Sequence, residues 1–162
     1  MKIISVVKTA IIASLYAALV ILLTPISFYA FQIRIADALL LLPFLEFFGL
    51  PAVTGLTIGC AIANTLSPFG IIDIIFGSLA NFLAGLTAWV IGKKSKNMYA
   101  LVLAAVVETL IISAIVGYII LHLVGGLDLV VAFVGVLVGS IVSVCVLGIT
   151  LILFLMKGLK IF

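Results

Sequence analysis

Seven side chains in this chain can bind or carry charge while nearly everything around them is apolar: Arg34, Asp37, Asn64, Asp73, Asn81, Glu108 and His122. Each supplies hydrogen-bond donors, acceptors or a titratable proton. No spacing among them makes a nucleophile elbow, a zinc-binding HExxH or a phosphate-cradling P-loop, so neither hydrolysis nor ATP cleavage is supported in this chain. Cys60 and Cys145 stand alone in apolar runs with no CxxC pair and read as packing residues. What remains is recognition. Carboxylates and amides can pair with the donor and acceptor edge of a small polar molecule such as a nucleobase, and rings such as Phe31, Phe69, Phe76 or Tyr118 can stack on its face.

The elements that must position these groups follow from composition. Of 162 residues, 67% are hydrophobic and 8% charged, against about 45–50% and about 25% in ordinary soluble domains. A water-soluble globule could not cover that much apolar surface. Lipid offers the backbone no hydrogen-bond partners, so the amides must be satisfied internally, and long runs without period-two alternation favour helices over a barrel. The expected fold is an all-α membrane protein, one integral membrane domain over 1–162, with six transmembrane helices of which the second and third are short.

Helix 1 is expected from about Ile4 to Thr24, ended by Pro25, and its basic flank with no small-residue cleavage site reads as a first span rather than a removable signal. The aromatic stretch Ile26 to Gln32 reads as a surface loop or lid. Helix 2 runs from about Ile35 to Phe48 and helix 3 from about Ala52 to Leu66. Both fall short of the ~20 residues of a comfortable span and are open to a re-entrant reading. Helix 4 runs from Gly70 to Ile91, helix 5 from about Met98 to Leu123, and helix 6 from about Leu129 to Met156. Six crossings put every basic residue except Arg34 on one face, so both termini are expected in the cytoplasm, at the plasma membrane.

A charge at mid-helix costs roughly 2.5–3.5 kcal/mol on insertion scales, so each intramembrane ionisable group is a functional candidate. Their depths agree. Arg34 and Asp37 open helix 2 on the outer side, Asn64 lies near the outer end of helix 3, and Asp73 near the outer start of helix 4. Asn81 follows Asp73 on the same stripe, with Gly77 between them. Glu108 lies about 15 Å from the inner end of helix 5, and His122 at its outer end. Together they suggest a solute pocket opening outward. Plainer readings stand beside this: an interfacial Arg34–Asp37 ion pair, interhelical hydrogen bonds from Asn64 and Asn81, and an interfacial His122. Small residues line helix 1 (Ala10, Ser14 and Ala18; Ala13 and Ala17), helix 3 (Gly55, Gly59, Ala63) and helix 6 (Gly135, Gly139, Ser143), and suit either internal packing or docking of another subunit.

The string from Gln32 through Asp37 to Leu39, followed by Pro43 and Phe44, resembles the signature of the queuosine-precursor transporter (QueT) family. Gly55, the run Ile58 to Asn64, and Gly70, Asp73 and Phe76 to Ala80 extend the resemblance through helix 4. It is weaker in helices 1 and 5, and Ser140 follows Gly139 where members often carry an acid. The resemblance implies a substrate-binding S component of an energy-coupling factor (ECF) importer, with a pocket facing outward. It further implies a transmembrane scaffold docked on Ala13 and Ala17 of helix 1, two partner ATPases that consume the ATP, and no cofactor in this chain. The implied solute is a 7-deazaguanine base in its cyano or aminomethyl form, or queuine; nucleic acid is not an expected partner. By the same match, Arg34, Asp37, Asn64 and Asp73 are site candidates. Two other classes remain open on the residues alone: a self-sufficient secondary transporter or channel, and a non-transport membrane assembly protein.

Overall fold

The computed structural model describes residues 3–27 and 33–158. Among them every regular element is helical. We label the main helices α1 (Ile3–Leu22), α2 (Ile35–Phe44), α3 (Gly49–Leu66), α4 (Ile71–Lys94), α5 (Met98–Val124) and α6 (Leu129–Gly158). All except α2 are long and apolar enough to cross a membrane. Apolar side chains such as Ile11, Ile71, Leu103 and Phe154 cover the outside, where a lipid solvent accepts them at no cost.

The centre of the bundle is α2. Apart from Asp37 its sequence is apolar, and Ala36 through Phe44 are all buried, as expected of a helix with no solvated face. It is a 3-10 helix. At about 2.0 Å per residue it covers ~20 Å, where an α-helix of the same length would cover ~15 Å. Stretching lets a short segment run from the polar interior at Arg34 to the foot of the bundle. There Lys96 Nζ donates to the Phe44 carbonyl at 2.9 Å and Lys8 Nζ to the Phe47 carbonyl at 2.5 Å. Cations thereby meet carbonyls that the end of a helix leaves unpaired.

Two expectations are corrected here. Helix 2 stops at Phe44, four residues early, because Leu45 turns extended after Pro43. Helix 3 is not short: it begins at Gly49, whose φ of +47° suits glycine, and with its closing turn Asn64–Leu66 it is long enough to cross. The loop expected at 26–32 begins at a helical turn, Thr24–Ser27, and 28–32, with Phe31, lie outside the described residues, as do Lys2 and Lys160.

Glycine sets how close the helices come. A Cβ on Gly55 would stand 2.8 Å from the Thr9 carbonyl, and one on Gly59 2.7 Å from the Ala13 carbonyl. Helices α1 and α3 therefore run side by side in backbone contact. This packing consumes the face expected to dock a partner: Ala13 and Ala17 are buried inside the chain, while Ala10, Ser14 and Ala18, one residue round the helix, are exposed.

Candidate functional site

The chain builds its polar interior from the junction of α3 and α4. Asn64 closes the regular part of α3, a 3-10 turn follows, and Gly70 with φ +60° reverses the backbone into the first turn of α4. That reversal sets Asp73 against Asn64. Ser67 Oγ donates to Asp73 Oδ2 at 2.5 Å, and Asn64 Nδ2 donates to Asp73 Oδ1 at 3.1 Å and to its carbonyl at 2.8 Å. Arg34 Nη2 lies 3.6 Å from Asp73 Oδ2. The carboxylate is also in the first turn of its helix, where the dipole favours an anion. Gly77 makes room for this arrangement, since a Cβ there would run into the Asn64 amide.

A second strand of the network joins α1 to α2. Tyr16 OH donates to Asp37 Oδ1 at 2.6 Å, with both residues buried. Arg34 Nε donates to the Ser27 carbonyl at 3.4 Å. Cys60, beneath Asn64, accepts from its amide at 3.4 Å.

Glu108 comes from α5 and differs from these. It is fully buried, and neither carboxylate oxygen has a hydrogen-bond partner among the described residues. Its ionisable neighbours are Asp37 and Cys145. Asn64 Oδ1 and Ser143 Oγ are likewise buried without a partner. The atoms left open on side-chain oxygens are thus two carboxylate acceptors, an amide acceptor and one hydroxyl. Leaving a polar group so buried costs several kcal/mol unless a partner arrives.

Of the residues selected from sequence, the structure gathers Arg34, Asn64 and Asp73 into one network, holds Asp37 against Tyr16 one turn along from Arg34, and buries Glu108 separately on α5. Asn81 lies lower on α4 and donates to the Leu56 carbonyl at 3.4 Å, tying α4 to α3. His122 is elsewhere: its Nδ1 meets the Leu127 carbonyl at 2.7 Å and its ring stacks on Tyr118 at 5.8 Å, closing the turn between α5 and α6. Tyr16 and Ser67 belong to the network and were missed by sequence reasoning. A lone tyrosine midway along an apolar helix was the available signal, because a buried phenol usually finds a partner.

Two cavities lie away from this network, at the foot of the bundle. One of about 230 Å³ is lined by Phe44, Glu46, Trp89, Lys93 and Lys96, and one of about 280 Å³ by Ser5, Thr9, Pro51 and Thr54. Partial burial lowers the Lys96 pKa there, with Glu46 opposing the shift. Their polar groups are already paired or open to solvent, so the buried network carries the functional argument. Among the described residues no cluster of three His, Cys, Asp or Glu could hold a metal ion. Compared with known proteins, residues 6–157 match the family model described as QueT transporter. No curated protein and no solved structure gives a match.

Proposed function

Because the chain belongs to the QueT transporter family, whose model spans nearly all of it, we propose that it is the solute-binding membrane subunit of an ATP-driven ECF-type importer for a queuosine precursor. The observation that carries this reading is Glu108, whose two buried oxygens lack partners. A 7-deazaguanine base presents N1–H and a 2-amino N–H side by side, a donor pair that one carboxylate can take with both oxygens. Asn64 Oδ1 is a further buried acceptor without a partner among the described residues, on the amide whose nitrogen serves Asp73. Arg34, Asp37 and Tyr16 fix the surrounding wall.

In this reading the termini and the basic foot face the cytoplasm, where Lys8, Lys93 and Lys94 accord with the bias of basic residues to that side. A transmembrane scaffold subunit and two ATPase subunits supply the coupling, and the ATP is theirs. The scaffold would meet α1 on Ala10, Ser14 and Ala18, since Ala13 and Ala17 are packed against α3.

Isothermal titration of the purified protein with a 7-deazaguanine base tests the proposal. Glu108→Gln keeps the volume but turns one acceptor into a donor, and is expected to weaken binding about 100-fold, or ~2.7 kcal/mol. Undiminished affinity in that variant would remove Glu108 from the site. Uptake by this chain alone in liposomes, without ATPases, would replace the subunit reading with a self-sufficient transporter.

A further inference from the structure

The foot of the bundle holds more positive charge than its own carboxylate answers. Gly92 lets α4 press on the end of α2, since a Cβ there would run into the Phe44 backbone. Between them lies the cavity of about 230 Å³ lined by Pro43, Phe44, Glu46, Trp89, Lys93 and Lys96. Lys96 Nζ gives one N–H to the Phe44 carbonyl at 2.9 Å, and an ammonium has three to give. Among the described residues Lys93 Nζ and Trp89 Nε1 donate to nothing, and neither lysine forms an ion pair with Glu46. Two ammoniums against one carboxylate leave a single positive charge. Glu46 is exposed and can turn to water.

Depth indicates what the missing anion is attached to. Trp89 and Lys93 stand one turn apart at the end of α4, which is long and apolar enough to cross a membrane. The cavity therefore lies where hydrocarbon gives way to water, the level at which tryptophan collects and lysine reaches for headgroups. Leu50 and Val90, next in the chain to Gly49 and Trp89, are exposed apolar side chains. On the adjacent face of α4 an apolar groove of about 210 Å³ lies among Leu86, Val90, Ile91 and Val107. A soluble phosphate has no use for such a surface, whereas a phospholipid covers it with its acyl chains. Partial burial lowers the Lys96 pKa, and an anion beside the ammonium opposes that shift.

We propose that this cavity binds the phosphate of an anionic phospholipid, held by Lys93, Lys96 and the Trp89 indole N–H, with the acyl chains lying along α4. A phosphodiester brings the one negative charge that the cavity lacks and oxygens for all three donors. Phosphatidylcholine carries a cation of its own and leaves the positive charge unanswered. Which solute the buried network takes has no bearing on this site.

Trp89 is the chain's single tryptophan, so its fluorescence reports on this site. The full chain is placed in mixed bilayers of phosphatidylcholine and phosphatidylglycerol, with one lipid or the other brominated on its acyl chains. Quenching then gives the relative affinity of the two lipids at Trp89. A preference of at least about threefold for phosphatidylglycerol is expected. It should fall to parity in the double variant Lys93→Gln with Lys96→Gln, and persist in Lys94→Gln, whose lysine adjoins the cavity without lining it. A smaller preference in the unaltered protein overturns the proposal, as does one that survives the double variant. An equal loss in Lys94→Gln also overturns it, because that marks diffuse attraction to a basic foot. Relief of the phosphatidylglycerol quenching by millimolar glycerol phosphate would make a soluble phosphate the occupant and remove the lipid. Lys93 donates nothing within the described chain, so Lys93→Gln should fold, and a preference undiminished in it decides against the site if the double variant does not fold.

Discussion

Asp73 on α4 and Glu108 on α5 are both fully buried carboxylates, and they are treated in opposite ways. Asp73 receives Ser67, Asn64 and Arg34, and its chain neighbours are arranged to deliver them. Glu108 receives nothing from the described residues. The first is what a membrane interior does with a charge it needs in order to fold. In the proposed reading the second is a carboxyl group kept for a guest, because a satisfied acceptor could not bind and an unsatisfied one destabilises the empty protein. In that reading stability and recognition are divided between the α3–α4 junction and α5.

Removing each carboxylate should separate the two roles. Asp73→Ala takes a counter-charge from the buried Arg34 and the acceptor from Ser67 Oγ and Asn64 Nδ2, and is expected to cost about 3–5 kcal/mol, read by reversible unfolding in mixed micelles. Glu108→Gln, examined the same way, is expected to leave stability within ~1 kcal/mol or raise it, since no partner is lost and a buried charge is removed. A Glu108→Gln protein destabilised as much as Asp73→Ala would break the distinction, because Glu108 would then have been holding the fold.

Tyr16→Phe probes the boundary between the halves. It deletes the hydroxyl that donates to Asp37 at 2.6 Å and leaves the ring packed in the core. The expected loss of stability is about 1–3 kcal/mol, in the range for a hydrogen bond to a charged group. If Asp37 also holds the guest, binding should weaken with it, as the carboxylate gains freedom to turn away. Lost stability with unchanged affinity would move Asp37 to the structural side.

Much of this was legible because polar residues are conspicuous in an apolar chain. Arg34, Asp37, Asn64 and Asp73 were chosen for type and depth, and Arg34, Asn64 and Asp73 lie in one network because the turn through Gly70 folds α4 back on α3. His122 was chosen on the same grounds, yet a polar group at a helix end can be satisfied by the turn it sits in, which depth does not reveal. Ser67 was invisible in a punctuating Ser-Pro loop. Long apolar runs bounded by proline, glycine or lysine marked α1, α4, α5 and α6. The stretched geometry of α2 was not legible, since apart from Asp37 its sequence is apolar throughout and has no face from which a period could be read. Which small stripe of α1 is covered inside the chain was not legible for a related reason: two adjacent stripes are both small, and only packing against Gly55 and Gly59 decides between them.

The smallest expected effect lies at the foot of α2, where a third kind of polar contact completes the comparison. Lys96 donates to the Phe44 carbonyl at 2.9 Å, but its side chain is only partly buried. Water can replace it when it is removed, and a pair so exposed is worth little. Lys96→Met is therefore expected to change stability by under ~1 kcal/mol and to leave the affinity for a 7-deazaguanine base unaltered, measured by the same unfolding and titration experiments. A loss comparable to that of Asp73→Ala would mean that the central helix depends on its basic foot as much as on its polar head. What sets the size of these effects would then be the anchoring of α2 rather than the dryness around each carboxylate.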